Sequence, residues 1–174
     1  MRRATELAII PTVIVLDQLT KAVLKRTLEL HEYRLVLDGF LSISHVRNRG
    51  AAFGILSEAG LPYQSVLLSL VSLLALGAIA VYALRLSPEA RLPRLALALV
   101  LGGAIGNLID RLRFGYVVDF IHVYWRQYIW PDFNLADSAI STGVVLLLLD
   151  MLRSPRREAA SGITEVKPAL GRSE

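Results

Sequence analysis

The sequence predicts an α-helical integral membrane protein, with four transmembrane helices and a small extracytoplasmic segment that contains β-structure. Three observations predict it. Of the 174 residues, 54% are hydrophobic, and the mean hydropathy is +0.51, which is too apolar for an ordinary soluble domain of this length. The apolar residues fall in blocks, each approaching the ~20 residues that a bilayer core demands. The Lys and Arg residues behind the net charge of +4 lie mainly between and beyond those blocks. That distribution fits orientation in a bilayer and does not suggest nucleic-acid binding.

The first span covers about 4–24, "ATELAIIPTVIVLDQLTKAVL". It follows "MRR" much as a leader peptide would. It has no small-residue cleavage site, however, and it holds Asp17 and Lys21, so it is read as retained. Pro11 is acceptable inside a membrane helix. The long mixed segment 25–60 comes next. Within it, "FLSISHV" alternates apolar and polar residues and predicts a short strand. The second span covers about 61–84, and "RLSPEAR" (85–91) makes a short basic turn. The third span covers about 92–113 and the fourth about 135–152, with a loop at 114–134 between them. One domain is expected, 1–152, followed at 153–174 by a polar tail whose composition predicts disorder.

Four crossings place both termini on one side. Basic residues are denser at the N-terminus, in the 85–94 turn and in the tail than in the two longer loops, so termini and turn are assigned to the cytoplasm. The geometric consequence is that the end of span one, the start of span two, the end of span three and the start of span four meet at the outer face. Nearly every unusual polar residue gathers there: Asp17, Lys21, Asn48, Asn107, Arg111, Asp119, Asn134 and Asp137.

The chain has no cysteine, which excludes disulfides, thiolate metal sites and a cysteine nucleophile. His31, His45 and His122 lack metal-ligand spacing, so no metal site is expected. Asp137 has a structural reading, with Asn134 as helix N-cap and Asp137 as its box-like partner. Asp119, the acid within "GYVVDFIHVY", reads alone as an interfacial loop residue. Together they form two carboxylates at adjacent span ends on one face. Such a pair can share one proton, one member taking a proton from water while the other donates to a leaving amide. Asp17 and Lys21 lie i,i+4 on one helix face, as an intramembrane ion pair would. Gly102 and Gly106 have GxxxG spacing, which favours close helix packing. Gly103, Asn107 and Arg111 form a separate stripe at i, i+4, i+8, on which Arg111 suits a carboxylate, a carbonyl or a phosphate. Trp125, Tyr124, Tyr128 and Trp130 suit an interfacial aromatic belt.

Five motifs in order, "DQLTK" (17–21), "NRGAAFG" (48–54), "GGAIGNLIDR" (102–111), "VVDFI" (117–121) and "FNLADSAI" (133–140), resemble the bacterial lipoprotein signal peptidases, or signal peptidase II. The likeness covers about 10–150. It implies an aspartic endopeptidase of the inner membrane that removes the signal peptide from diacylglyceryl-modified prolipoproteins just before the lipidated cysteine. By motif position it implies Asp119 and Asp137 as the catalytic pair. Asp17, Lys21, Asn48, Gly103, Asn107, Arg111, Asn134 and Ala136 would be supporting or substrate-contacting residues. It also implies membrane lipids and globomycin-type cyclic peptides as partners. No cofactor, no metal and no nucleic acid are expected, and the chain is expected to act as a monomer. The segment before span two and the "FLSISHV" strand would form a lid or cradle over the acids. Two other readings compete. A proton or ion path would spread its acids through the membrane depth, and a passive scaffold would tolerate loss of both aspartates.

Overall fold

The computed structural model describes residues 3–50 and 63–161. Four helices are present among them: α1 (Arg3–Thr27), α2 (Gln64–Arg85), α3 (Arg91–Phe114) and α4 (Leu135–Ser161). Four strands accompany them: β1 (Tyr33–Leu37), β2 (Leu41–Asn48), β3 (Val117–Trp125) and β4 (Tyr128–Ile129). The strands form one antiparallel sheet in sequence order.

Among the described residues, three helices are long and apolar enough to cross a membrane: α2, α3 and the Leu135–Arg153 part of α4. The sequence leads one to expect four. The first helix has 25 residues, ample length at 1.5 Å per residue, and the stretch whose side chains are described, 8–27, holds Lys25 and Arg26 at its end besides Asp17 and Lys21. Helix α4 also continues past 152 to Ser161, so 153–161 is helical where the composition suggests tail. Arg156, Arg157, Glu158, Ala159 and Ala160 are all good helix formers. The rest of the tail, 162–174, lies outside the described residues.

Helix α3 is the hub, in contact with α1, α2 and α4. Its buried residues include Ala96, Leu97, Val100, Leu101, Gly102 and Gly103. Small residues let its neighbours approach closely, as membrane helices require when no hydrophobic effect drives them together. A Cβ at Gly102 would sit 2.9 Å from Val13 Cβ on α1. On the other side, Gly143 of α4 lies against α3, where a Cβ would come within 2.6 Å of Val100 Cγ2. Helix α2 shows the opposite pattern, with Val66, Leu67, Leu70, Val71, Leu73 and Leu74 all exposed. An exposed apolar face of that size needs a partner, and lipid supplies one.

The sheet caps one end of the bundle. Val118 of β3 packs with Leu24 and Leu28 of the first helix and its extension, joined by Ile43, Tyr116 and Phe120. The β1–β2 turn uses Gly39 at φ 71°, a left-handed conformation that favours glycine. The strand expected from "FLSISHV" is β2. Its partner β3 falls where the sequence suggests loop, because "VVDFIHVYW" is too uniformly apolar to display the two-residue alternation. The sheet therefore draws on both 25–60 and 114–134. The register sets Val46 opposite Asp119 and Asn48 opposite Val117. The sheet thus carries Asp119 to the end of the bundle where α4 begins. Trp125, Tyr128 and Trp130 are exposed at the same edge.

Candidate active site

The site is organised by the start of α4. Asn134 caps the helix, its Oδ1 accepting from Asp137 N at 2.9 Å, while Asn134 N donates to Asp137 Oδ2 at 3.2 Å. This reciprocal pair is a capping box, satisfying donors that a helix start leaves orphaned. The next free N–H, that of Ala136, donates to Asp17 Oδ1 on α1 at 3.0 Å. The capping that the sequence suggests is real, and it also serves to place a carboxylate.

Asn134 reaches a second acid through its side chain. Its Nδ2 donates to Asp119 Oδ1 at 2.7 Å, while Asn48 Nδ2 donates to Asp119 Oδ2 at 3.0 Å. Asp137 Oδ1 receives Asn107 Nδ2 at 2.8 Å. A single residue, Asn134, therefore bonds both carboxylates, and the two acids are close enough to feel each other's charge. Asp119 is only 2% exposed. Burial and the neighbouring Asp137 charge push its carboxyl up to about 7, against hydrogen bonds from Asn48 and Asn134 and the more distant Lys21 charge that favour ionisation.

Behind this pair lies a buried ionic group. Lys21 Nζ contacts Asp17 Oδ2 at 2.9 Å, Asp110 Oδ2 at 3.0 Å and Asn107 Oδ1 at 3.0 Å. All three ammonium hydrogens are thereby used. Asn107 is then oriented: with its oxygen held by Lys21, its amide nitrogen must face Asp137. Gln18 Nε2 bridges Asp110 Oδ1 and Gly106 O at 3.0 and 3.2 Å. Asp110 also accepts from Val118 N at 3.2 Å, fastening β3 one residue before Asp119. A groove of about 340 Å³ opens at Asp137, lined also by Asn48, Trp130, Asp132, Phe133 and Ser141.

A family model described as signal peptidase (SPase) II matches residues 9–153. The chain belongs to this family. The lipoprotein signal peptidase of Geobacter sulfurreducens is 51% identical over 146 residues, covering 84% of this chain and 90% of that protein. The lipoprotein signal peptidase of Pseudomonas aeruginosa is 43% identical over 152 residues, covering 86% and 89%. A solved bacterial membrane enzyme superimposes with a TM-score of 0.80 at 29% identity, covering 98% of this chain and 96% of that one. A second gives 0.76 at 30% identity, covering 87% and 95%. As a signal peptidase II, the protein is a membrane peptidase.

Of the expected site residues, Asp119, Asp137, Asn48, Asn107 and Asn134 form one hydrogen-bonded set. Asp17 and Lys21 join it through Ala136 N and Asn107. Arg111 stands beside the set and does not join it through these bonds; its Nη2 donates to Gly50 O at 3.1 Å, at the start of the 51–62 segment. The expected lid lies partly in that segment, outside the described residues; its other half, β2, reaches the site through Asn48. Asp110 and Gln18 carry no signal in the sequence. Asp110 sits three residues after Asn107, a helical neighbour, but the adjacent Arg111 makes it look like one of a local pair at a span end.

Gly103 serves this signal peptidase II by its size. A Cβ there would overlap the Ala136 carbonyl oxygen and lie 2.8 Å from Ile140 Cγ1. Gly103→Ala must push α4 away from α3 and stretch the Asn107–Asp137 bond. The expected result is about 1–3 kcal/mol of lost stability and roughly 10²-fold lower turnover from misplacement. Thermal unfolding and peptide cleavage measure the two. Gly77→Ala, with nothing within 4 Å of the new Cβ, is the control: it should leave turnover unchanged and lose no stability, since alanine suits a helix interior better than glycine.

Proposed function

We propose that the chain is an aspartic endopeptidase that removes the signal peptide from diacylglyceryl-modified prolipoproteins, cutting just before the lipidated cysteine with a water activated by Asp119 and Asp137. Membership of the signal peptidase II family supports the substrate class. The observation that carries the mechanism is the bonding of both carboxylates to Asn134. A water between the acids loses a proton to the ionised carboxylate as its oxygen attacks the scissile carbonyl carbon. The protonated carboxyl then gives its proton to the amide nitrogen as the C–N bond breaks. One product carries the new carboxylate, the other the free amino group of the lipidated cysteine. Asn48, Asn107 and Asn134 supply only neutral donors, so they hold the acids in place without abolishing the shared proton.

The peptide enters laterally from the bilayer in extended form and lies in the groove beside Asp137, while the acyl chains stay in lipid. We take α1 as a fourth crossing. Its charges are internally paired, with Asp17 and Lys21 0% and 1% exposed, while Leu16, Leu19 and Val23 are exposed on the outside. An apolar exterior around a satisfied polar interior is compatible with hydrocarbon. Four crossings put both termini in the cytoplasm and the acids near the outer surface of the inner membrane, in a single domain acting as a monomer. Globomycin-type cyclic peptides would compete for the same groove.

The test is purified protein with a diacylglyceryl-modified peptide and its unlipidated twin, with products weighed by mass spectrometry. A cut before the lipidated cysteine alone is expected. Cleavage elsewhere, or equal cleavage of the unlipidated peptide, overturns the substrate assignment.

The pH dependence has a definite sign. The pair needs one proton, and Asp119 loses its proton as pH rises through about 7. Turnover should therefore fall on the alkaline side of that value. Asn48 favours the ionised form of Asp119, so Asn48→Ala should move the alkaline limb to higher pH while lowering the plateau. A limb that stays put, or moves down, contradicts the role given to Asp119.

A further inference from the structure

Outside the aspartates and the buried lysine group, one polar cluster has no part in the proposed mechanism. Asp132 Oδ1 accepts from Ser44 Oγ at 2.7 Å and from His122 Nδ1 at 3.0 Å. Ser44 belongs to β2 and is fully buried; His122 belongs to β3, with the Tyr33 ring of β1 edge-on at 5.0 Å. One carboxylate oxygen thus ties the link between β4 and α4 to two strands of the sheet. The main chain reinforces the tie on both sides. Trp130 N donates to Val123 O at 2.9 Å, Phe133 N to Ile121 O at 3.2 Å, and Ile121 N to Phe133 O at 2.8 Å. Between them Pro131 has no N–H to donate, so the Asp132 side chain supplies the anchor there.

Asp132 is placed to act on the site at one remove. It lines the groove beside Asp137, and it lies two residues before Asn134, which bonds both acids. We infer that Asp132 is a positioning residue: held by Ser44 and His122, it fixes the 130–133 wall of the peptide groove and the approach to Asn134. The kinetic part of this inference rests on the peptidase reading; the structural part does not.

The experiment uses the full chain in lipid nanodiscs and reads two quantities, hydrogen exchange over 128–134 and the steady-state constants for the lipidated peptide. Asp132→Ala should speed exchange of the Phe133 amide and raise KM roughly tenfold, the loss of one charge-assisted tie, with a smaller change in kcat. Asp132→Asn keeps an oxygen that accepts from both donors and should restore both quantities. Ser44→Ala, which removes one donor, should fall between, and it stands in for Asp132→Ala if that variant does not accumulate. Unchanged exchange in Asp132→Ala overturns the inference, as does an Asp132→Asn variant as impaired as the alanine. Because exchange needs no turnover, a wild type that fails to cut the peptide would defeat the proposed activity and leave the structural inference to be decided by exchange alone.

Discussion

Asp119→Asn and Asp137→Asn should each abolish cleavage of a lipidated precursor while the protein still inserts and folds. In the proposed mechanism each change removes a group that holds or takes a proton, and general acid–base catalysis alone is worth about 10²–10⁴-fold. The same proposal has the acids act as a unit, so the double variant should be no worse than either single one. The stability readout differs between the two. Asp119 Oδ1 receives Asn134 and Oδ2 receives Asn48, and its carboxyl is raised to about 7 from an ordinary 3.8. The folded state therefore holds a proton that the unfolded chain has already released between those values. Stability from this group is full below about 3.8 and is lost as pH rises to about 7. Asp119→Asn, neutral at every pH, should flatten that dependence, while losing about 1–3 kcal/mol because its amide accepts on one side only and leaves the donor facing its nitrogen unpaired. Asp137 has a backbone donor on one oxygen and a side-chain donor on the other, and the amide of Asp137→Asn accepts on only one. That variant should lose about 1–3 kcal/mol, still leaving a folded chain. Thermal unfolding in detergent at two pH values, beside the cleavage assay, checks both halves. Full cleavage by both variants would leave only a scaffold.

How much of the fold and site is legible in the sequence depends on the kind of signal. Apolar blocks carry their own period, so all four helices are readable, and among the described residues three of them qualify as spans by length and apolarity alone. The Asn134–Asp137 pair is readable because a cap is local, fixed by three residues of spacing. Strand β2 is readable because its faces differ, and β3 is not. Val117, Val118 and Asp119 are all buried, so no polar face marks the alternation. Asp110 and Gln18 escape notice because their meaning is tertiary. Each is an ordinary polar residue near a span end until α1 and α3 come together and Lys21 stands between two acids. Asp132, His122 and Ser44 come from three separate segments, and no spacing rule joins them.

The buried lysine carries the largest expected effect on the fold itself. Lys21 is 1% exposed, and the acids it separates, Asp17 and Asp110, are 0% and 1% exposed. Lys21→Met keeps the volume and removes the charge, so both carboxylates remain out of water, facing each other with no cation between. Breaking such a buried pair from one side costs on the order of 3–5 kcal/mol, a large share of the roughly 5–15 kcal/mol that typically holds a domain. For a chain of this size that corresponds to a fall in melting temperature of roughly 10 °C. Cleavage should drop as well, because Asn107 Oδ1 loses the stronger, charged one of its two donors and is left with Asn134 Nδ2 alone to keep its nitrogen turned toward Asp137. The second variant separates charge from packing. Adding Asp110→Asn to Lys21→Met leaves one unpaired acid in place of two, and it should recover part of the lost melting temperature. A Lys21→Met protein that melts with wild type would mean that water reaches this group, and the polar interior of the bundle would then be wet rather than sealed by α1, α3 and α4.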